Sequence, residues 1–330
     1  MADYFLPDFK VHDVGSISSL SQIYPQNVRD LNVPKVWTKT KGKGVTVAVL
    51  DTGCPKNHPD LKDNVDISAS RSFINNEDIY DLFVGHGSHV SGTIGAVDNA
   101  EGIVGIAPEV RVVCIKVLDK NGSGGNESLI RGLLYCLKDL KPDVINMSLG
   151  SPYPMPDVEN ILKELHKQNI PVVCSAGNNG QENVLYPAKY DDVIAVGSYT
   201  SPDLKDRSQF SSYGAELDLM APGDEILSTY INGGYAVMSG TSMAAPAVTG
   251  VIALLIAYHK QNNRTLTVNQ IKKLMYASCI DLGEVGFDKQ HGWGVVNPET
   301  LFNAEVQGIK IKKKVSFLQK LKDFFKNLFK

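Results

Sequence analysis

Val47-Ala48-Val49-Leu50-Asp51-Thr52-Gly53 is a β-branched apolar run that ends on a carboxylate and a glycine. A run with so few polar breaks reads as a strand buried on both faces. Working outward, residues 45–50, 110–117, 144–147, 172–176 and 193–196 all have this character. Stretches of helical period separate or follow them, at 89–97, 127–140, 158–167, 243–259 and 268–277. Strand–helix alternation predicts an α/β fold: three layers, a doubly wound and mainly parallel central sheet, helices on both faces. Such sheets carry their sites at the carboxyl ends of the strands. Asp51, Ser148-Leu149-Gly150 and Gly177-Asn178 each stand directly after one of these runs.

Composition sets wide bounds. A chain of 330 residues, 43% hydrophobic and 21% charged, can build a large core without disulfide help. Its five cysteines (Cys54, Cys114, Cys136, Cys174 and Cys279) are odd in number and sit mostly in apolar runs, so buried free thiols are expected. MADYFLPDFK lacks the basic start and apolar run of a secretory signal, and no stretch of about 18 apolar residues occurs, which points to a cytoplasmic setting. The net charge of −3 gives no reason to expect nucleic acid. Three segments are expected: an N-terminal extension over 1–20, a main domain over 21–307 and a basic tail over 308–330.

Chemistry concentrates in three motifs. They are the strand ending at Asp51, the run Gly85-His86-Gly87-Ser88-His89-Val90-Ser91-Gly92-Thr93, and Ser239-Gly240-Thr241-Ser242-Met243-Ala244-Ala245-Pro246. A serine hydroxyl needs a base within hydrogen-bond reach and a third group to orient that base. The order Asp, His, Ser, with helices expected after the last two, resembles the subtilisin family of serine proteases, the intracellular subtilisins above all. The resemblance covers about residues 21–300. It implies that Ser242 is the nucleophile, His86 its base, Asp51 the orienting carboxylate and Asn178 the side-chain donor to the oxyanion. His89 reads as a structural helix histidine. The alternative is a catalytically silent subtilisin-like binding or signalling module, which would typically have lost one of these groups.

The same resemblance implies two edges that hold an extended substrate, Gly122-Ser123-Gly124 and Ser148-Leu149-Gly150. The primary pocket is expected between 148–150 and Ser175-Ala176-Gly177, with Leu185 as a floor that disfavours bulky aromatic side chains. Main-chain recognition of this kind gives broad specificity toward proteins and peptides. Leu82-Phe83-Val84 is more apolar than the family pattern ahead of the histidine motif. A calcium site is implied at Gln22, Asp60, Asn99 and the carbonyls of Val97, Glu101 and Ile103, a set of hard oxygen donors.

The two ends depart from the core pattern. Phe5-Leu6-Pro7-Asp8-Phe9 is similar to the apolar-proline motif with which intracellular subtilisins fill their own cleft, so a zymogen is expected. From residue 309 onward about eight lysines meet one acid, leaving the body near −10. Leu318, Leu321, Phe325 and Leu328 recur at helical spacing there, the pattern of a basic amphipathic helix that binds an anionic membrane or an acidic partner. A homodimer is compatible with the sequence but not required by it.

Overall fold

The computed structural model describes residues 3–15, 21–55, 57–81, 83–200 and 206–307. The tail over 308–330 and its expected helix lie outside the described residues. Twelve strands are described. They are β1 (Tyr4–Phe5), β2 (Lys10–Gly15), β3 (Thr46–Asp51), β4 (Arg71–Ser72), β5 (Arg111–Lys116), β6 (Ser123–Gly124), β7 (Val144–Met147), β8 (Val172–Ser175), β9 (Ile194–Tyr199), β10 (Leu219–Pro222), β11 (Ile226–Thr229) and β12 (Tyr235–Ser239). The helices are α1 (Gln26–Asp30), α2 (Pro34–Trp37), α3 (His86–Gly95), α4 (Asn126–Tyr135), α5 (Pro156–Lys167), α6 (Thr241–Gln261), α7 (Val268–Ser278) and α8 (Pro298–Gln307).

Seven strands form one sheet in the order β10-β9-β8-β7-β3-β5-β4, every neighbouring pair parallel. Alternation along β3 explains the layers. Val47 and Val49 enter a core shared with α3 and α6, while Ala48 and Leu50 enter one shared with α4 and α5. Successive side chains of a strand point to opposite faces, so one strand serves both cores. The chain leaves β3 for β4 and β5 on one side and returns as β7 on the other. This reversal opens a crevice beyond the carboxyl ends of β3 and β7, where Asp51 and Ser148 stand.

Helix α6 is apolar on nearly all sides and runs buried along the sheet. Its length and composition would suit a membrane span, but here it is a core helix. All five cysteines are free, four of them buried, as the sequence leads one to expect.

Element edges differ from the sequence expectation for local reasons. α3 starts at His86 rather than at 89, because Gly85, at φ 72°, makes the turn into it. α5 begins two residues early on Pro156, a favoured first helical residue. The helix expected over 127–140 is α-helical to Tyr135, passes into a π-turn over Cys136–Leu140, and stops at Lys141 in the left-handed region. β9 runs on through Gly197 to Tyr199.

The largest departure lies near the N-terminus. Residues 4–15, without a clear period in sequence, supply two strands. β1 pairs antiparallel with β6, and β2 pairs antiparallel with β12 as the edge of a second sheet ordered β11-β12-β2.

Candidate active site

The first pair of candidate residues is fixed by burial. Asp51 ends β3 and His86 opens α3; both are fully buried, and His86 Nδ1 lies 2.8 Å from Asp51 Oδ1. Asp51 Oδ1 also accepts the Thr52 N–H at 2.8 Å. A carboxylate acceptor puts the hydrogen on Nδ1, which leaves Nε2 with its lone pair. Nε2 is buried with no hydrogen-bond partner among the described residues.

Ser242 sits in the first turn of α6. Its neighbourhood follows from Pro246, four residues on. Proline has no N–H to return to the Ser242 carbonyl. That carbonyl instead accepts Ser148 Oγ at 3.0 Å, tying α6 to the end of β7. Ser242 Oγ makes a long contact, 3.4 Å, to the Ser148 carbonyl.

Asn178 follows β8. Thr241 donates to Asn178 Oδ1 from its backbone N (2.9 Å) and its hydroxyl (2.8 Å). The amide oxygen is thereby committed, and Nδ2 is turned into the cleft as a donor. There it bonds the Asp8 carbonyl at 2.6 Å.

Two polar residues that the sequence reading passed over hold this arrangement. Asp81, buried, accepts from Gly85 N (3.0 Å) and from Thr52 Oγ1 (2.8 Å), and Thr52 Oγ1 in turn accepts Gly87 N at 2.9 Å. The loop ahead of His86 is thus tied to the residue after Asp51. Lys116, buried at the end of β5, donates to the Thr52 carbonyl and pairs with Glu77 at 3.2 Å. Their signal in the sequence is a charge placed next to an apolar run, which does not reveal its partner.

The segments expected to wall the cleft stand at strands or directly after them. Ser123–Gly124 is β6, Ser148, Leu149 and Gly150 follow β7, and Ser175 ends β8 ahead of Ala176 and Gly177. Leu185 donates its N–H to the Ala176 carbonyl at 2.9 Å, and its side chain lies over Gly150 and Gly177. Leu82 is outside the described residues; Phe83 is exposed and Val84 half-buried at the rim.

The cleft is filled by the chain's own residues 3–9. Asp3 N bonds Gly124 O (3.0 Å), Phe5 and Gly150 exchange both backbone bonds (3.0 and 2.9 Å), and Leu6 N bonds Gly122 O (2.9 Å). Tyr4 is fully buried, its hydroxyl donating to Val117 O at 2.8 Å. A Cβ at Gly122 would come within 2.7 Å of Leu6, and one at Gly124 within 2.5 Å of the Tyr4 ring, so only glycine admits this close approach. Pro7 is buried and donates nothing. The Phe9 ring then packs on His86 at 5.1 Å between centroids.

Away from the cleft, the expected metal residues converge. Asp60 is fully buried and accepts Asn99 Nδ2 (3.2 Å), Ile103 N (2.8 Å) and the Tyr235 hydroxyl (2.9 Å). Gln22 Oε1 accepts the Asn99 and Ala100 N–H groups, and its Nε2 donates to Glu101 O at 2.7 Å. Val97 donates its N–H to the Asp60 carbonyl at 2.8 Å. Asp60 forms no ion pair among the described residues.

His89 stands one helical turn after His86 and is a buried structural group. Its Nε2 lies 2.9 Å from Ile226 O, an acceptor, so the hydrogen is on Nε2. Nδ1 is buried without a partner among the described residues. Burial pushes its pKa down to about 3, from an ordinary 6.5. Between those values the unfolded chain binds a proton that the folded chain refuses, so stability falls as pH drops through that window. Urea unfolding at pH 7 and pH 4.5 should show this loss, at up to about 1.4 kcal/mol per pH unit from this group. His89→Gln should lower stability at pH 7 and flatten the slope; an unchanged slope would refute this origin.

The profile of the Subtilase family matches residues 42–294. The chain is 43% identical over 269 residues to "Intracellular serine protease" of Paenibacillus polymyxa, covering 78% of this chain and 81% of that protein. It is 42% identical over 259 residues to "Major intracellular serine protease" of Bacillus subtilis (strain 168), covering 75% and 80%. It is 37% identical over 284 residues to "Subtilisin DY" of Bacillus licheniformis, covering 84% and 98%. With this match along most of its length and a parallel α/β fold around the Asp–His–Ser motifs, the chain belongs to the subtilase family and is a serine endopeptidase.

Proposed function

We propose that Ser242 attacks the scissile carbonyl, that His86 takes its proton through Nε2, and that Asp51 holds the imidazole in that tautomer. The observation that carries this is the buried Asp51–His86 hydrogen bond with Nε2 left unpaired. The hydroxyl oxygen adds to the carbonyl carbon, and the imidazolium returns the proton to the leaving amine. Water then hydrolyses the acyl-enzyme by the same relay. Asn178 Nδ2 donates to the oxyanion that forms in both halves. Ser242→Ala should abolish labelling by a fluorophosphonate and hydrolysis alike. Asn178→Ala should lower kcat about 10²–10³-fold with little change in KM, the size of effect known for this donor in subtilisin. Full labelling of Ser242→Ala, or a fall confined to KM in Asn178→Ala, would refute these roles.

The substrate is an extended protein segment seated between 122–124 and 148–150, with Leu185 limiting the primary pocket so that large aromatic side chains are disfavoured. The bonds made by residues 3–6 support this mode, because they are almost all main-chain bonds. The enzyme is proposed to be cytoplasmic, given five free cysteines and relatives named as intracellular.

Residues 3–9 are proposed to make the chain a zymogen. Tyr4 anchors the segment, and Pro7 interrupts the ladder just before the carbonyl that faces Asn178, so the backbone there is poorly pinned for attack. Deleting residues 1–18 should raise kcat/KM on a short peptide, and Tyr4→Ala should do so partly. Equal activity of the intact and shortened chains would refute autoinhibition.

Calcium is proposed at Gln22, Asp60, Asn99 and the carbonyls of Val97, Glu101 and Ile103. The support is chemical: Asp60 is a buried carboxylate with no ion pair among the described residues, and the nearby loop brings the amide oxygens of Gln22 and Asn99 and backbone carbonyls, hard donors that suit such a cation. Excess chelator should lower the melting temperature, and calcium should restore it. An unchanged melt, with metal removal verified, would refute the site.

A further inference from the structure

Beyond Asp8, the carbonyl of which meets Asn178, the chain's own segment does not leave the protein. It crosses His86 as Phe9 and then becomes β2, a six-residue strand of which five residues pair antiparallel with β12: Lys10 opposite Ser239, Val11 opposite Met238, Asp13 opposite Val237, Val14 opposite Ala236 and Gly15 opposite Tyr235, with His12 at the shift in register between them. All six β2 residues are exposed. The pairing therefore rests on backbone, which any extended sequence can supply. β12 is in turn continuous, through Gly240, with the turn of α6 that carries Ser242.

One side chain of the segment is also read. His12 Nε2 lies 2.6 Å from Ser239 Oγ. The Ser239 hydroxyl gives its single hydrogen to Asp224 Oδ1 at 2.6 Å and accepts Glu225 N at 2.8 Å. His12 must therefore be the donor. Phe210, Asn178 and Ser239, with the acids Asp224 and Glu225, border a groove of about 600 Å³ beside this strand.

We propose that the β12 edge is an extended docking site for the leaving half of the substrate, in which the residues downstream of the cleaved bond add as a strand along Tyr235–Ser239, and Ser239 with Asp224 selects a basic or donor side chain at the place His12 holds. This rests on the reading that residues 3–15 lie in the cleft as a substrate would. Recognition then spans both sides of the nucleophile: β6 and 148–150 hold the acyl half, and β12 holds the leaving half. An unfolded chain meets both edges at once, whereas a folded surface loop cannot supply so long an extended stretch.

The test compares two peptides sharing one acyl half and one cleaved bond, the first ending two residues beyond it and the second continuing to the seventh. Both are assayed on the full chain and on full chain carrying Val14→Pro, which breaks the segment's own ladder. The longer peptide should gain about tenfold in kcat/KM on both proteins, and backbone N-methylation of its downstream half should remove the gain. Exchanging Ala for Lys at the place of His12 should add about threefold, lost in Asp224→Asn. A ratio within twofold of one, or a gain that survives N-methylation, overturns the docking edge; a Lys preference equal in Asp224→Asn overturns the role of Asp224. Because both peptides meet one enzyme, their ratio is independent of how many clefts the extension blocks. A failure of autoinhibition would leave that ratio intact.

Discussion

The hydrogen bond from His86 Nδ1 to Asp51 Oδ1 is sealed from water on both sides, and the surrounding structure answers to that fact. A carboxylate taken out of solvent needs fixed donors. Asp51 obtains them from the imidazole and from Thr52 N, and Thr52 is itself held by Asp81, Gly87 and Lys116. The end of β3, the start of α3 and the end of β5 are therefore locked to one another. The imidazole cannot turn, and its second nitrogen keeps a fixed direction. Ser242 is held as firmly, because Pro246 and Ser148 tether the first turn of α6 to β7.

Around this fixed centre, the chain's own residues 3–15 are held largely by backbone. β6, residues 148–150 and β12 present strand edges, and glycines at 122 and 124 allow close approach. Edges of this kind bind a conformation more than a sequence. The same property lets the chain's own N-terminal segment lie there. Tyr4, Leu6 and His12 add side-chain contacts to that backbone pairing, so a short stretch holds a definite register.

Legibility in the sequence followed the range of the interactions. The strand ending at Asp51, the glycine-flanked His86 and the Ser242 motif could be read because each is a local pattern: period, then a break, then a reactive side chain. Helix edges shifted by a turn or less where Gly85 and Pro156 set them. Asp81 and Lys116 were not legible as parts of the site, because their partners lie 29 and 64 residues away in Thr52. β1 and β6 were invisible as strands, being two residues each and too short for any period.

The sequence by itself determined a parallel α/β sheet and three motifs at strand and helix ends, whose resemblance to the subtilisin family marks Asp51, His86 and Ser242 as the candidate residues. Hydrophobic period specifies the sheet and its helices because it is a property of short segments, while the roles of the three side chains are what the resemblance implies. The apolar-proline segment over 5–9 was legible as a candidate occupant of the cleft; only the tertiary structure decided its register there and its continuation as a strand beside β12. Strand pairing joins Tyr4 to Gly124 and Lys10 to Ser239 across more than a hundred residues, and backbone hydrogen bonds leave almost no mark on side-chain pattern. The Ser242 motif and the edges at 122–124 and 148–150 could be named from their neighbours in sequence; the β12 edge beside them could be found only once the chain had closed around it.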